Sequence, residues 1–395
     1  MIGRANMVAA AFALTALTYG LTRFAYGLLL PSIRADLDLS AMAGGWIGGL
    51  AFASYCLGVV LAFTLVDRFG ERYITVLAGS CATVAMAIIA VSWSVWSLGF
   101  GMALGGLSTG LTSPPLASAV AITLSHPDQH KANGLINSGT AVGIVISGAA
   151  ALAFYGSWRA LYAAFAGLGL IITFWLSWTI PPRNSKNVAE KLHWGDAQVP
   201  GAHNLTAGSF IVGFASTAVW TFGANVMQDE VDFSRYQIAL SWIVLGVVGI
   251  GGSSTGSLVQ HLGLPFVYRL AVAVMGLAIA ILAAAIGYSP LAFIALGLFG
   301  LGYIVATGAL LIWGVSIYSR HPALGLSVPF LIVAIGQTVG APIFGLLWDV
   351  GGSVSALAIF AMVMAAAASF TAAKNAPSEE SHQSDRIGGA VSDKS

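Results

Sequence analysis

Asp67-Arg68-Phe69-Gly70-Glu71-Arg72 sets four charged side chains into six residues of a chain that is 8% charged. The runs on either side, 42–66 and 73–91, contain no Asp, Glu, Lys or Arg. A soluble fold cannot hide two apolar runs of that length, whereas a bilayer takes each as a spanning helix. The six residues are then the turn of a transmembrane hairpin, and Gly70 permits its sharp reversal. Basic residues collect on the cytoplasmic side of a membrane, where acids count for little, so Arg68 and Arg72 put this turn inside.

The rest of the chain has the same character. Its 395 residues are 57% hydrophobic and include 48 glycines, against about 25% charged residues in an ordinary soluble domain. Roughly 20 apolar residues cross a bilayer. Runs of that kind occur at 7–30, 42–66, 73–92, 97–123, 133–154, 160–180, 205–227, 237–260, 266–287, 291–315, 324–347 and 354–373. These are spans one to twelve. The first is too long for the apolar core of a signal peptide and is expected to be retained. The fold expected is an all-α membrane protein of twelve transmembrane helices in two pseudo-symmetric bundles. Residues 1–180 form the first bundle, 181–204 a cytoplasmic linker, 205–373 the second bundle and 374–395 a disordered tail. A net charge of +1 gives no reason to expect a nucleic-acid partner. Cys56 and Cys81 form no disulfide or metal pattern, and neither a metal nor a cofactor is expected.

With the N-terminus inside, twelve Lys and Arg residues fall on the cytoplasmic side. Arg34, Arg159 and Arg235 fall outside, together with Asp36, Asp38, Asp229, Glu230 and Asp232. Both termini are therefore expected in the cytoplasm. The halves echo each other. Gly139-Thr140-Ala141-Val142-Gly143 returns 197 residues on as Gly336-Gln337-Thr338-Val339-Gly340, and the turn at Gly70 has a worn copy ending at Gly263. A duplicated six-helix unit is a transporter arrangement.

Twelve spans in two halves, with Leu65-x-Asp67-Arg68-x-Gly70-x-Arg72 between spans two and three, resemble the major facilitator superfamily. Trp158-Arg159 at the start of span six is also similar, and Arg23-Phe24-Ala25-Tyr26 with Pro31 resembles a bacterial branch of that family. The family's loop signature opens with Gly where this chain has Phe63. The resemblance implies a transporter working by alternating access, with spans one, four, seven and ten lining a central cavity and spans two, five, eight and eleven flanking it. It also sets Asp67 beside the cytoplasmic start of span eleven. A carboxylate near a helix N-terminus gains on the order of 0.3–1 kcal/mol, so Asp67, Arg68, Gly70 and Arg72 are candidate gating residues. The family's span-five antiporter signature is incomplete here, with Ile144 in place of Pro and Ser147 in place of Gly.

Arg23 is the one charge well inside a span. Such an arginine costs about 2.5–3.5 kcal/mol on insertion scales and usually faces a cavity or a partner. Helical spacing sets Tyr19 and Tyr26 on the same face, and a guanidinium between two phenols suits a carboxylate. The alternatives are a structural arginine bonded to backbone carbonyls, or one snorkelling outward. Further candidate substrate contacts are Thr109 and Ser113 in span four, Asn137 in span five, Trp220 and Asn225 in span seven, Tyr303 and Thr307 in span ten, and Gln337 in span eleven. Pro114-Pro115 is expected to break or bend span four. Gly106-Leu107-Ser108-Thr109-Gly110 fits a hydrolase pattern, but it lies mid-helix without a base, so no enzyme is expected.

The expected function is secondary active or facilitative transport of a small, anionic organic solute in a bacterial inner membrane. A drug-type exporter of neutral or hydrophobic compounds is the alternative on the same fold, and a non-transporting sensor the alternative of another class. The expected partners are the solute and the bilayer, with H+ or a counter-anion as open coupling partners and a monomer as the assembly. No Asp, Glu, His or Lys lies in the central part of a span, so a titrating intramembrane group is missing.

Overall fold

Each expected span falls on its own helix or helix run in the computed structural model, which describes residues 2–154, 157–182, 199, 201–285, 288–319 and 322–370. The expected linker lies largely, and the expected tail entirely, outside those residues. Span one is three consecutive segments, Ile2–Thr15, Ala16–Phe24 and Ala25–Leu37. Spans two to six are Ala41–Phe69, Glu71–Ala90, Val95–Thr123, His126–Ala153 and Trp158–Thr179. Span seven is broken into Ala202–Trp220 and Gly223–Val231, bent by 45°. Span eight runs from Arg235 to Leu262 with a 3-10 turn at Gly251–Ser254. Spans nine to eleven are Leu264–Ala284, Ser289–Ile317 and Pro322–Gly351, and span twelve begins at Ser353–Ala366. Among the described residues nine helices are long and apolar enough to cross a bilayer alone, and the bent pair makes a tenth. The Gly-, Ser- and Thr-rich span four and the short span twelve complete the set.

Pro114-Pro115 does not break span four, which continues to Thr123. Each proline removes one amide donor, and the ladder resumes beyond them because the flanking turns stay packed. The break comes instead in span seven, at Thr221-Phe222, where no proline stands. There the chain passes against Gly27 of span one, whose missing Cβ would stand 1.9 Å from the Trp220 carbonyl oxygen.

The duplication is written into the turns. Gly70 and Gly263 end spans two and eight with φ of 85° and 81°, and each donates its N–H four residues back, to Val66 and Val259. Asp38 and Asp232 end spans one and seven in the left-handed region, at φ of 52° and 55°. Ser40 and Ser234 then cap the next helices, accepting from the amides of Ala43 and Gln237. The repeated glycines do the same work in each half. A Cβ on Gly139 or Gly143 would meet the carbonyls of Phe12 and Ala16 in span one; on Gly336 or Gly340 it would meet those of Phe210 and Phe214 in span seven. Small residues let membrane helices approach closely enough for dispersion to hold them.

Span two packs along span eleven and span five along span eight, which joins the halves. The face bearing Asp36, Asp229 and Asp349 is closed. Near it, Cβ atoms added to Gly45 and Gly345 would stand 2.3 and 2.5 Å from the carbonyl oxygens of Ala341 and Ala41 across the seam. Arg34 of span one lies 3.9 Å from Asp229 of span seven. Asp349, at the end of span eleven, accepts the N–H groups of Ala41 (3.1 Å) and Met42 (2.9 Å) at the start of span two. That clamp joins a carboxylate to a helix N-terminus, as expected for Asp67, but on the opposite face and with the two helices exchanging roles. Asp349→Asn is expected to speed labelling of Thr221→Cys (in a background without Cys56 and Cys81) by an impermeant thiol reagent from this face, by roughly fivefold. An unchanged rate would show that the clamp contributes nothing to closure.

Candidate functional site

Arg23 sits where span one leaves α-helical geometry. Residues Ala16–Phe24 form a π-helix, and the Thr22 hydroxyl donates to the Leu17 carbonyl five residues back, at 2.9 Å. Wide turns of this kind cluster at functional sites, and this one changes the phase between Tyr19, Arg23 and Tyr26. Gly20 within it lies against the backbone of Gly143, where a Cβ would be 2.4 Å away. The segment is therefore pinned to span five.

Arg23 is buried at 8% exposure. Its Nη2 donates to Gln337 Oε1 at 2.9 Å. The Gln337 amide nitrogen lies 3.3 Å from Ser216 Oγ, and that hydroxyl donates to the Gly213 carbonyl at 2.7 Å. With its proton committed to Gly213, Ser216 offers a lone pair to the amide, which turns the Gln337 oxygen toward the guanidinium. The chain of contacts runs from span one across the seam to spans eleven and seven. The Arg23 carbon lies 4.5 Å from the ring centre of Phe52, 4.6 Å from Tyr55 and 5.3 Å from Phe24. Cation–π contacts of this kind are worth about 0.5–2 kcal/mol each. Ion pairs join Arg34 to Asp229 and Arg159 to Asp36, both at the acidic face. The Arg23 charge is met by a neutral amide and by ring faces.

The other candidates divide between the Arg23 region and the helix seams. Tyr19 shares a 2.9 Å hydrogen bond with Ser113 and sets its ring edge-on to Tyr55. Tyr26 donates to the Gly44 carbonyl at 2.9 Å. Phe52 and Tyr55 of span two, which the spacing did not predict, lie against the guanidinium. Trp220 is the hub of an aromatic cluster, with ring centres of Phe24, Tyr303 and Phe299 at 4.3, 5.1 and 5.6 Å. Asn225 is buried with Oδ1 lacking a partner. Thr109 donates to the Thr18 and Gly105 carbonyls, and Thr307 to those of Tyr303 and Ile304, so both hydroxyls serve helix backbone. Asn137 is exposed on span five.

In the turn at the basic face, Gly70 adopts the positive φ its place requires. Arg68 lies over Phe69 at 5.2 Å. Arg72 Nε donates to the Ile180 carbonyl at the end of span six, at 2.6 Å. Asp67 lies in the last turn of span two. Sequence reasoning missed Phe52, Tyr55 and Ser216. The first two share a face of span two at i, i+3 spacing, and that face is legible only once span one is known to lie against it. Ser216 resembles any other membrane-helix hydroxyl until Gln337 is brought beside it.

Two buried N–H groups in this region have no acceptor, Arg23 Nε and Trp220 Nε1. Both residues line one small cavity with Phe24, Tyr26, Phe52 and Thr221.

Residues 12–328 match the Major Facilitator Superfamily. The purine ribonucleoside efflux pump NepI of Escherichia coli K12 is 24% identical over 370 residues, covering 88% of each chain. The uncharacterized transporter YgaY of Escherichia coli O157:H7 is 33% identical over 137 residues, which span 34% of each chain. Among solved structures, a bacterial homologue of the human lysosomal transporter Spinster superposes with a TM-score of 0.74 at 18% identity, covering 94% of this chain and 95% of that one. The nucleoside transporter NupG gives 0.74 at 13% identity, covering 93% and 98%. Family match, fold and duplicated turns agree: this chain is a multi-pass membrane transporter and belongs to the Major Facilitator Superfamily.

Proposed function

We propose that this protein carries a small organic anion across a bacterial inner membrane by alternating access between its two halves, with Arg23 as the anchor. One observation carries this reading: a buried guanidinium at the seam of the halves that pairs with the neutral Gln337 amide instead of a carboxylate. A carboxylate ligand gives Arg23 a charged partner and frees Gln337 to turn toward the rest of the solute. Because Arg23 and Gln337 belong to different halves, loading the site changes the contact that ties them. The basic face is taken as cytoplasmic, with both termini inside, from the distribution of Lys and Arg. Asp67 and its turn are taken as the cytoplasmic counterpart of the Asp349 clamp.

The aromatic cluster around Trp220 supports a second reading, a neutral planar solute such as the purine ribonucleosides named for one relative. Uptake and efflux of labelled monocarboxylates and purine ribonucleosides by proteoliposomes separate the two. The anion reading predicts saturable flux of a carboxylate. Flux of nucleosides alone would overturn it in favour of the second.

A further inference from the structure

The cavity where spans one and seven meet spans two and four has a volume of about 10 Å³. That is space for a single small atom. Two of its lining residues, Arg23 and Trp220, are 8% and 3% exposed, and each carries a buried N–H without a partner, Arg23 Nε and Trp220 Nε1. Tyr26, which also lines it, has its hydroxyl proton committed to the Gly44 carbonyl. Phe24, Phe52, Ala51 and Met102 add apolar wall, and no carboxylate lines the cavity among the described residues. A buried donor left without an acceptor loses its hydration with nothing in return, and two on one cavity call for a shared acceptor. Among the described residues no carboxylate pairs with the Arg23 guanidinium.

We propose that this cavity is a binding site for one monatomic anion of chloride size, held by Arg23 Nε and Trp220 Nε1. A water molecule also accepts two hydrogen bonds, but it leaves the buried charge uncompensated, whereas a halide supplies both the acceptor and the counter-charge. The anion bridges span one to span seven across the seam, beside the contact of Gly27 with the Trp220 carbonyl, and so favours the closed acidic face. The site needs no assumption about the organic solute. If the solute is a carboxylate, the two anions compete for one guanidinium.

The test uses the purified full chain in lipid nanodiscs, with sodium sulfate, whose anion is too large for the cavity, replaced stepwise by sodium chloride at constant ionic strength. The wild-type melting temperature is expected to rise and saturate with chloride. Trp220→Phe keeps the ring and removes the donor, and is expected to raise the half-saturating chloride concentration at least severalfold. Arg23→Gln is expected to abolish the dependence. A flat wild-type titration would overturn the proposal and leave a water in the cavity. A rise of equal size and midpoint in both variants would also overturn it, as a general salt effect. Should Arg23→Gln not fold, crystals of wild type grown in bromide supply the second measurement. An anomalous peak in the cavity is expected, and its absence there would contradict the site. Neither measurement involves solute flux, so the organic-anion reading can fail while this site stands, or the reverse.

Discussion

Arg23→Ala is expected to cut carrier-mediated flux of the solute by about 10- to 100-fold, while the protein still folds and inserts. A hydrogen bond to a charged group contributes about 1.5–3 kcal/mol, and each 1.4 kcal/mol is a factor of ten in affinity. The loss should appear chiefly in the concentration needed for half-maximal flux. Arg23→Lys keeps the charge but loses the planar fork that meets Gln337 Oε1 at 2.9 Å and lies against Phe52 and Tyr55. It should therefore fall between wild type and alanine. Folding survives because the removed charge has a neutral partner, so no buried carboxylate is stranded. Flux unchanged in both variants would reduce Arg23 to a structural part of the seam.

Gly27→Val should act on the conformational equilibrium instead of on the site. The first added carbon would stand 1.9 Å from the Trp220 carbonyl oxygen. Backbone meets backbone there, and no flexible side chain can yield. Overpacking costs about 1–3 kcal/mol, and a backbone contact belongs at the upper end. The closed acidic face loses that energy, whereas a conformation with spans one and seven apart does not. The population should shift toward opening on this face by about 10- to 100-fold. Spin labels at Val91 and Val350, both exposed on this face in opposite halves, should report a longer distance than in wild type. Gly167→Val is the control, since nothing lies within 4 Å of a Cβ there. An unchanged distance in Gly27→Val would show that the contact does not decide closure.

Much of the fold was legible in the sequence because bilayer thermodynamics is strict. A run such as 42–66, without one charge, leaves few alternatives to a spanning helix. The worn turn at Gln260-His261-Leu262-Gly263 was recognisable as a copy because only glycine tolerates its φ of 81° cheaply. Trp158-Arg159 proved to be a brace. Arg159 donates to the Ser92 carbonyl, pairs with Asp36 and lies over Trp93 and Trp158. Local details were less legible. The break at Thr221-Phe222 arises from the approach of span one, and no helix breaker marks it. The π-helix at Ala16–Phe24 depends on Gly20 lying against span five, so the phase of Tyr26 relative to Arg23 could not be had from α-helical spacing. The neutral partner of Arg23 was within reach as Gln337, but the role of Ser216 in orienting it was not. Hydroxyls in membrane helices mostly bond to their own backbone, as Thr109 and Thr307 do here.

The central claim is that Arg23 reads negative charge on the solute. Its most direct test takes a carboxylate carried in the flux screen and compares it with its own primary amide, a partner of nearly the same shape without the charge. Competition for flux into wild-type proteoliposomes is predicted to favour the carboxylate by about tenfold or more, with the preference lost in Arg23→Gln. Equal competition by acid and amide in the wild type, or a preference that survives in Arg23→Gln, would contradict the account.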